Sequence, residues 1–124
     1  MSVVINLPDA PPPIGPYCLA RLCGNTLYTS GNVAQSADGT VPKTIGEQTT
    51  LSLQNMEKVI KAAGMDKTNV VKCNCYLANM DDFAEMNKAY SAFFGDHKPC
   101  RCCVQAGKLC DPFLFEVECI CYKA

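Results

Sequence analysis

The stretch VVKCNCYLANMDDFAEMNKAYSAFFGDHKPCRCCVQAG, residues 70–107, decides the fold because its hydrophobic period changes twice. Its first eight residues alternate in the manner of a strand, one face of which carries Val71, Cys73, Cys75 and Leu77. A helix is predicted from about Met80 to Phe94, with an apolar stripe of Phe83, Met86, Tyr90 and Phe93 or Phe94. The turn formers GDHKP end that helix, and a second strand is predicted at about 101–107.

Similar patterns extend outward from this stretch. Two strands are predicted at 17–23 and 26–33, around the turn CGN, and the proline-rich segment 8–16 before them is expected to lie extended on the surface. A first helix is predicted from Thr44 to Ala63, since apolar residues recur at helical spacing and Gly64 stands at the stop position. A last strand is predicted at about 114–122.

The resulting order is β-β-α-β-α-β-β in a single domain, residues 1–124. Both helices can cover one face of one mixed sheet, which makes the fold class α+β. The other sheet face has no cover within the chain and is rich in Cys and Val. Such a face is unusual for a monomer, so self-association is expected.

Composition restricts the function classes. The 124 residues are 48% apolar and 19% charged, and 11 basic residues against 12 acidic ones give a net charge of −1. A nucleic-acid partner is not expected, because no basic excess is present. No signal-peptide pattern and no apolar run of membrane-spanning length occurs, so a protein of the cytoplasm without membrane contact is expected.

Ten cysteines are the most unusual feature of the composition. Because they lie in strand-like runs beside Val, Ile and Leu, they are interpreted mainly as small buried apolar residues. Two alternatives stay open for Cys100-x-x-Cys103: a zinc site that includes His97, or a redox dithiol. His97, the only histidine, is otherwise expected to be exposed in a loop.

An arginine, a cysteine and a glutamate form the candidate site. Strand alternation places Arg101 and Cys103 on one face of their strand, and Glu116 shares a face with Glu118 on the last strand. If these strands are neighbours, the three groups meet near one sheet face. A guanidinium binds a carboxylate through two hydrogen bonds, and a glutamate can act as a base. The alternative is a structural ion pair between Arg101 and a glutamate.

Five blocks together carry a family resemblance: APPPIGPY (10–17), LYTSGNV (27–33), DDFAEMNKAYSAFF (81–94), KPCRCCV (98–104) and FEVECI (115–120). In this order and spacing they resemble the Rid family of reactive intermediate deaminases, also called YjgF-like, and in particular its RidA branch. The resemblance runs from about Ala10 to Ile120. It implies a chorismate-mutase-like fold, and a homotrimer with a central barrel and active sites in clefts between subunits.

The resemblance also implies an activity without metal or organic cofactor. That activity is the hydrolysis of reactive enamines and imines, such as 2-aminoacrylate and 2-iminopropionate, to 2-keto acids and ammonia. By motif, Arg101 binds the substrate carboxylate and Glu116 positions or activates water. The residues that line the pocket are Tyr17, Ser30, Gly31, Asn87 and Cys103. Departures from the family pattern at Cys102, Gln105 and Cys110 bear on the shape of the pocket.

Three other functions stay open. A trimeric protein of this kind could bind small carboxylates such as 2-keto acids in a regulatory role, without turnover. Ribonuclease activity is claimed for family members, but the neutral charge and lone histidine give it little support here. The cysteines also leave a redox or metal-storage role open.

Overall fold

The computed structural model describes all residues, 1–124. Six strands and two helices follow one another as β1 (Ser2–Ile5), β2 (Ala20–Cys23), β3 (Thr26–Thr29), α1 (Ile45–Ala62), β4 (Val70–Leu77), α2 (Phe83–Phe94), β5 (Cys100–Gln105) and β6 (Phe115–Tyr122). The strands form one sheet in the order β1-β2-β3-β6-β4-β5, in which only β4 and β5 run parallel. The predicted α+β architecture, with two helices on one face of a single mixed sheet, is confirmed.

The boundaries of α1 follow from its end residues. The Thr44 hydroxyl accepts a hydrogen bond from the Glu47 N–H and caps the first turn, where Glu47 also opposes the helix dipole. At the other end Gly64 adopts φ +78°, a conformation that glycine takes without strain. The predicted span of this helix is therefore confirmed to within one residue at each end.

Helix α2 begins one turn later than predicted. Residues Met80–Asp82 form a 3-10 turn, and the Asn79 side chain accepts a hydrogen bond from the Asp81 N–H at its start. The α-helix then runs from Phe83 to Phe94 and packs against α1. Its buried face carries Met86, Tyr90 and Phe94, as the apolar stripe predicted, whereas Phe83 is largely exposed.

The core lies between the sheet and the two helices. Its largest buried side chains include Phe115, Leu27, Leu53, Met56, Ile60, Leu77 and Met86. Four cysteines also lie in this core on the helix side of the two central strands: Cys73, Cys75, Cys119 and Cys121. All ten cysteines are free thiols, so the buried four act as small apolar core residues.

Several sequence-based predictions of the strands are wrong in detail. The edge strand β1 was not predicted, and the strands predicted at 17–23 and 26–33 are shorter than expected. Val71 does not share a face with Cys73, because a bulge between Val70 and Lys72 shifts the register against β6. Val70 is therefore buried, and Val71 is 47% exposed.

The sheet face opposite the helices, called here the outer face, is bare. Apolar and aromatic side chains on it remain about half exposed, among them Tyr28, Val104 and Tyr122. Neither helix combines the length and the apolar character that crossing a bilayer requires.

Candidate active site

Arg101 lies on β5 with its side chain on the helix side of the sheet. In the register of β4 and β5 it pairs with Cys73, which is fully buried under α2. The Arg101 Nη1 donates a hydrogen bond of 2.6 Å to Asn87 Oδ1. The guanidinium carbon lies 4.9 Å from the centre of the Tyr90 ring and 5.6 Å from that of Phe83. About two turns of α2 therefore frame the cation with an amide and two aromatic rings.

The charge of Arg101 is not neutralised within the chain. Its one side-chain partner, Asn87, is neutral, and the only ion pair in the structure joins Lys61 to Glu57. The alternative that Arg101 forms a structural ion pair with a glutamate is therefore wrong. The Arg101 guanidinium is planar and fixed in position, and it has further N–H groups that make no hydrogen bond. Such a group is suited to bind a carboxylate through two hydrogen bonds.

Cys103 lies two residues after Arg101 on the same face and is half buried. It pairs with Cys75 in the register of β4 and β5. Burial raises the pKa of the Cys103 thiol, and the nearby Arg101 charge opposes this rise only in part. The thiol is therefore protonated at neutral pH. Asn87, Arg101 and Cys103 are called the arginine cluster below.

Glu116 belongs to a second cluster, built around the segment Ser30–Asn32. Asn32 and Val117 exchange two backbone hydrogen bonds of 2.7 and 3.0 Å, which hold this segment against β6. Gly31 then lies directly against the Glu116 carboxylate. A Cβ at this glycine would stand 2.2 Å from Glu116 Oε2, so a side chain here would displace the carboxylate. Ser30, Gly31 and Glu116 are called the glutamate cluster below.

Ser30 links the glutamate cluster to the segment that carries Tyr17. The Ser30 hydroxyl donates a hydrogen bond of 2.6 Å to the carbonyl oxygen of Cys18, and its N–H donates to Leu19. Tyr17, the residue before Cys18, is 51% exposed. Ser30 thus fixes the end of the proline-rich segment that carries this tyrosine.

The environment of Glu116 favours its protonated form. Burial, followed by the nearby Glu118 carboxylate, raises the pKa of Glu116 above its usual range. A carboxylate with a raised pKa is a stronger base than an exposed one. The glutamate cluster therefore offers a proton acceptor, whereas the arginine cluster offers an anion site.

The expectation that arginine, cysteine and glutamate meet on one sheet face is wrong for a single chain. Strand β4 lies between β5 and β6, and it pairs Cys73 with Arg101 and Tyr76 with Glu116. Cys73 and Tyr76 are three residues apart on one strand, so their side chains point to opposite faces. Arg101 and Cys103 accordingly face the helices, while Glu116 lies on the outer face.

The zinc alternative finds no support in the geometry. Cys100 and Cys103 are likewise three residues apart on β5 and point to opposite faces. His97 is half buried rather than exposed, and its Nε2 lies 2.7 Å from the carbonyl oxygen of Val70. No three His, Cys, Asp or Glu side chains are grouped so that they could hold a metal ion.

Sequence reasoning missed the aromatic frame of Arg101. Phe83 and Tyr90 were assigned to the core stripe of α2, although they stand four residues before and three after Asn87. That spacing puts all three on neighbouring positions of one helix face. Tyr76, whose hydroxyl donates to Glu118 beside Glu116, was also not identified.

Known proteins are similar to this chain along nearly its whole length. The family model described as Endoribonuclease L-PSP matches residues 7–123. A RutC family protein of Pyrococcus horikoshii is 39% identical over 99% of both chains. The 2-iminobutanoate/2-iminopropanoate deaminase of Escherichia coli K12 is 35% identical over 97% of both. The crystal structure of E. coli TdcF with bound serine matches with a TM-score of 0.92 at 31% identity, over 98% of this chain and 99% of that one.

Proposed function

The chain belongs to the Endoribonuclease L-PSP family, the family of the Rid or YjgF-like proteins, and from this premise we propose that it hydrolyses reactive enamines and imines to 2-keto acids and ammonia. The substrate class is that of 2-aminoacrylate and 2-iminopropionate. The observation that carries the proposal is the uncompensated charge of Arg101, held between an amide and two aromatic rings. Such a group is suited to the carboxylate that every 2-imino acid has.

The reaction requires little covalent chemistry from the protein. The enamine first tautomerises to the imine, whose carbon is already electrophilic once the imine nitrogen is protonated. Glu116 takes a proton from water as its oxygen bonds to that carbon, which gives a carbinolamine. Glu116 then returns the proton to the amine nitrogen and accepts the hydroxyl proton as the C–N bond breaks, so that the 2-keto acid forms and ammonia leaves. The proton that Glu116 then holds is released with the ammonia as ammonium, which restores the carboxylate. Arg101 holds the substrate carboxylate throughout and so orients the imine carbon toward the water.

A complete site requires two copies of the chain, because the sheet separates Arg101 from Glu116. We infer that the arginine cluster of one subunit meets the glutamate cluster of the next across an interface of a homotrimer. The bare outer face, with Tyr28, Val104 and Tyr122 about half exposed, supports such an assembly. The ten free thiols fit a reducing compartment such as the cytoplasm.

Deamination accounts for the site better than RNA cleavage does, in spite of the name of the family model. The net charge is −1, and the ring of the single histidine is engaged by the Val70 carbonyl oxygen. Phosphodiester cleavage usually requires phosphate-binding cations and free acid–base groups. The remaining alternative is a trimeric protein that binds 2-keto acids without turnover.

The test measures keto-acid and ammonia release from 2-aminoacrylate generated in place by a serine dehydratase. The wild type should accelerate release. Arg101→Ala should lower kcat/KM by roughly 100-fold or more, because the substrate loses its orientation. Glu116→Gln should lower it by about 10²–10⁴-fold, the usual contribution of a general base. Lys61→Ala is the matched control, because Lys61 is an exposed cation on α1, away from both clusters and from the outer face, and it should retain full activity.

Mixing the two inactive variants tests the shared site. When Arg101→Ala and Glu116→Gln are unfolded together and refolded at equal amounts, about one quarter of the interfaces should combine an intact arginine with an intact glutamate. Each variant refolded alone should stay inactive. Absence of recovery in the mixture would refute the shared site. If neither wild type nor variant accelerates release while 2-keto acids still bind, the binding function replaces the enzymatic one.

A further inference from the structure

A second carboxylate lies beside Glu116 on the outer face. Glu118 is two residues further along β6, so the two side chains point to the same side of the sheet. Both are half buried rather than freely exposed. Two like charges at this spacing disfavour each other, so their proximity requires an explanation.

Tyr76 holds Glu118 in place. In the register of β4 and β6 it stands directly opposite Glu116, but its hydroxyl reaches diagonally and donates a hydrogen bond of 3.0 Å to Glu118 Oε1. Burial, followed by this hydrogen bond, raises the pKa of Tyr76, so the phenol stays protonated and remains a donor. The tyrosine thus fixes the position of the Glu118 carboxylate next to its neighbour.

We propose that Glu118, anchored by the Tyr76 hydroxyl, is a positioning residue that keeps Glu116 a strong base for the hydrolytic water. The inference rests on the proposed function, because it assigns a role within the same site. Glu118 makes no contact with substrate in this role. It acts through its charge on Glu116, and Tyr76 acts through Glu118.

The surroundings of Glu116 leave Glu118 as its main charged neighbour. The segment Ser30–Asn32, which packs against the carboxylate, contains no ionisable side chain. Arg101 of the same chain lies on the other face of the sheet, whereas in the proposed trimer the partner subunit's Arg101 would face Glu116 and lower its pKa in wild type and in Glu118→Gln alike. The remaining titratable groups on the outer face of the sheet are Tyr76, Lys72, Arg21, Tyr28, Tyr122, Cys23, Cys100 and Cys102. After burial, the nearby Glu118 charge is the cause that raises the pKa of Glu116.

The sequence pattern is consistent with this arrangement. The last strand, FEVECICY, places charged residues only at the two outward positions 116 and 118, while the inward positions are apolar or Cys. A single general base would require one carboxylate. The second carboxylate is explained if its charge raises the pKa of the first. Paired carboxylates with different roles in a site are an example of this effect.

The experiment compares wild type with Glu118→Gln, Tyr76→Phe and the control Glu57→Gln. Glutamine at 118 keeps the shape and the oxygen that accepts from Tyr76, so only the charge is removed. Glu57 lies on α1, away from the site, and its change removes an equal charge from the chain. The two readouts are the pH dependence of kcat/KM and the titration of the Glu116 carboxyl carbon by NMR.

In Glu118→Gln we expect the acid limb of kcat/KM and the Glu116 titration midpoint to move together to lower pH. Because a weaker base remains, kcat/KM on the neutral plateau should fall by about twofold to fivefold. Tyr76→Phe should shift the acid limb and the Glu116 midpoint in the same direction, but by less. In this variant Glu118 keeps its charge and loses only the hydrogen bond from the tyrosine hydroxyl. Glu57→Gln should shift neither.

An unchanged Glu116 midpoint in Glu118→Gln overturns the inference, and so does a shift that the control reproduces. A fall in activity without any movement of the pH profile also overturns it, because that result describes a merely structural residue. If wild type shows no turnover at all, the proposed function fails, and the NMR titration still decides whether Glu118 acts on Glu116.

Discussion

The raised pKa of Glu116 predicts that its carboxylate destabilises the folded chain at neutral pH. Its raised pKa means that the folded state holds the proton more tightly than the unfolded state does. The stabilisation that comes from protonating Glu116 is therefore fully present below the pKa of the unfolded state. It is lost as the pH rises through the higher pKa of the folded state. The proposed role of Glu116 as a base would thus be set against stability.

Glu116→Gln should accordingly melt at a higher temperature than wild type at pH 7. The difference should shrink as the pH falls, and it should vanish well below pH 4.5, where the wild-type carboxyl is protonated in both states. Thermal unfolding followed by circular dichroism at a series of pH values measures it. Glu57→Gln serves as control, and a variant that is less stable than wild type at pH 7 would contradict the argument.

Residue-scale sequence reasoning predicted which candidate side chains share a face of their own strand, but not that the two pairs lie on opposite faces of the sheet. Alternation along each strand correctly placed Cys103 with Arg101 and Glu118 with Glu116. It could not show that β4 would separate the two pairs, because strand order depends on packing between distant segments. Val71 illustrates the same limit, since a single extra residue at the bulge reversed its predicted face.

At the scale of elements, α1 does more than cover the sheet. Its buried Gln48 joins two loops: the amide nitrogen donates to the carbonyl oxygens of Pro42 and Pro112, and Oε1 accepts from the Leu114 N–H at 2.7 Å. The Leu114 contact fixes the residue immediately before β6, the strand that carries Glu116. Both the nitrogen and the oxygen of the Gln48 amide thus have hydrogen-bond partners, although the residue is only 1% exposed.

Gln48→Met should lower the free energy of unfolding by about 2–4 kcal/mol, because three hydrogen bonds are lost and polar backbone groups stay buried without partners. Urea denaturation measures the change. Gln54→Met on the exposed side of the same helix is the matched control and should stay within about 0.5 kcal/mol of wild type. A similar effect in both variants would show that the three contacts contribute little.

The helices were the most predictable elements, and the reason is local. Thr44, Gly64 and the apolar stripes all lie within or next to the helices that they define. Strand β1 was missed because SVVI is short, and its pairing with β2 depends on residues almost twenty positions away. The end of β5 at Gln105 likewise follows from its pairing with β4.

At the scale of the whole molecule, the distribution of thiols follows the two faces of the sheet. Cys73 and Cys75 are buried under the helices, and burial raises the pKa of Cys73 to about 11 and that of Cys75 further. The hydrogen-bonded Cys121 thiol, followed by burial, raises the pKa of Cys119. These thiols are therefore both inaccessible and protonated, which are two independent reasons for low reactivity.

Iodoacetamide at pH 8 should therefore leave Cys73 and Cys75 unmodified in the native protein, while the exposed Cys110 reacts. In denaturant all ten cysteines should be alkylated. Peptide mapping by mass spectrometry distinguishes the sites. Native alkylation of Cys73 or Cys75 at the rate of Cys110 would contradict the burial argument and reopen a redox role for these cysteines.

Because β4 lies between Arg101 and Glu116, the proposed deamination at a site shared by two subunits should depend on the amount of protein. A lone chain holds both reactive groups on opposite sides of a sheet and cannot bring them together. The rate per chain should therefore fall steeply once the protein is diluted below the dissociation constant of the assembly. In a cell, the abundance of the chain would then determine whether the site exists, and a small decrease in expression would remove activity out of proportion to the protein lost.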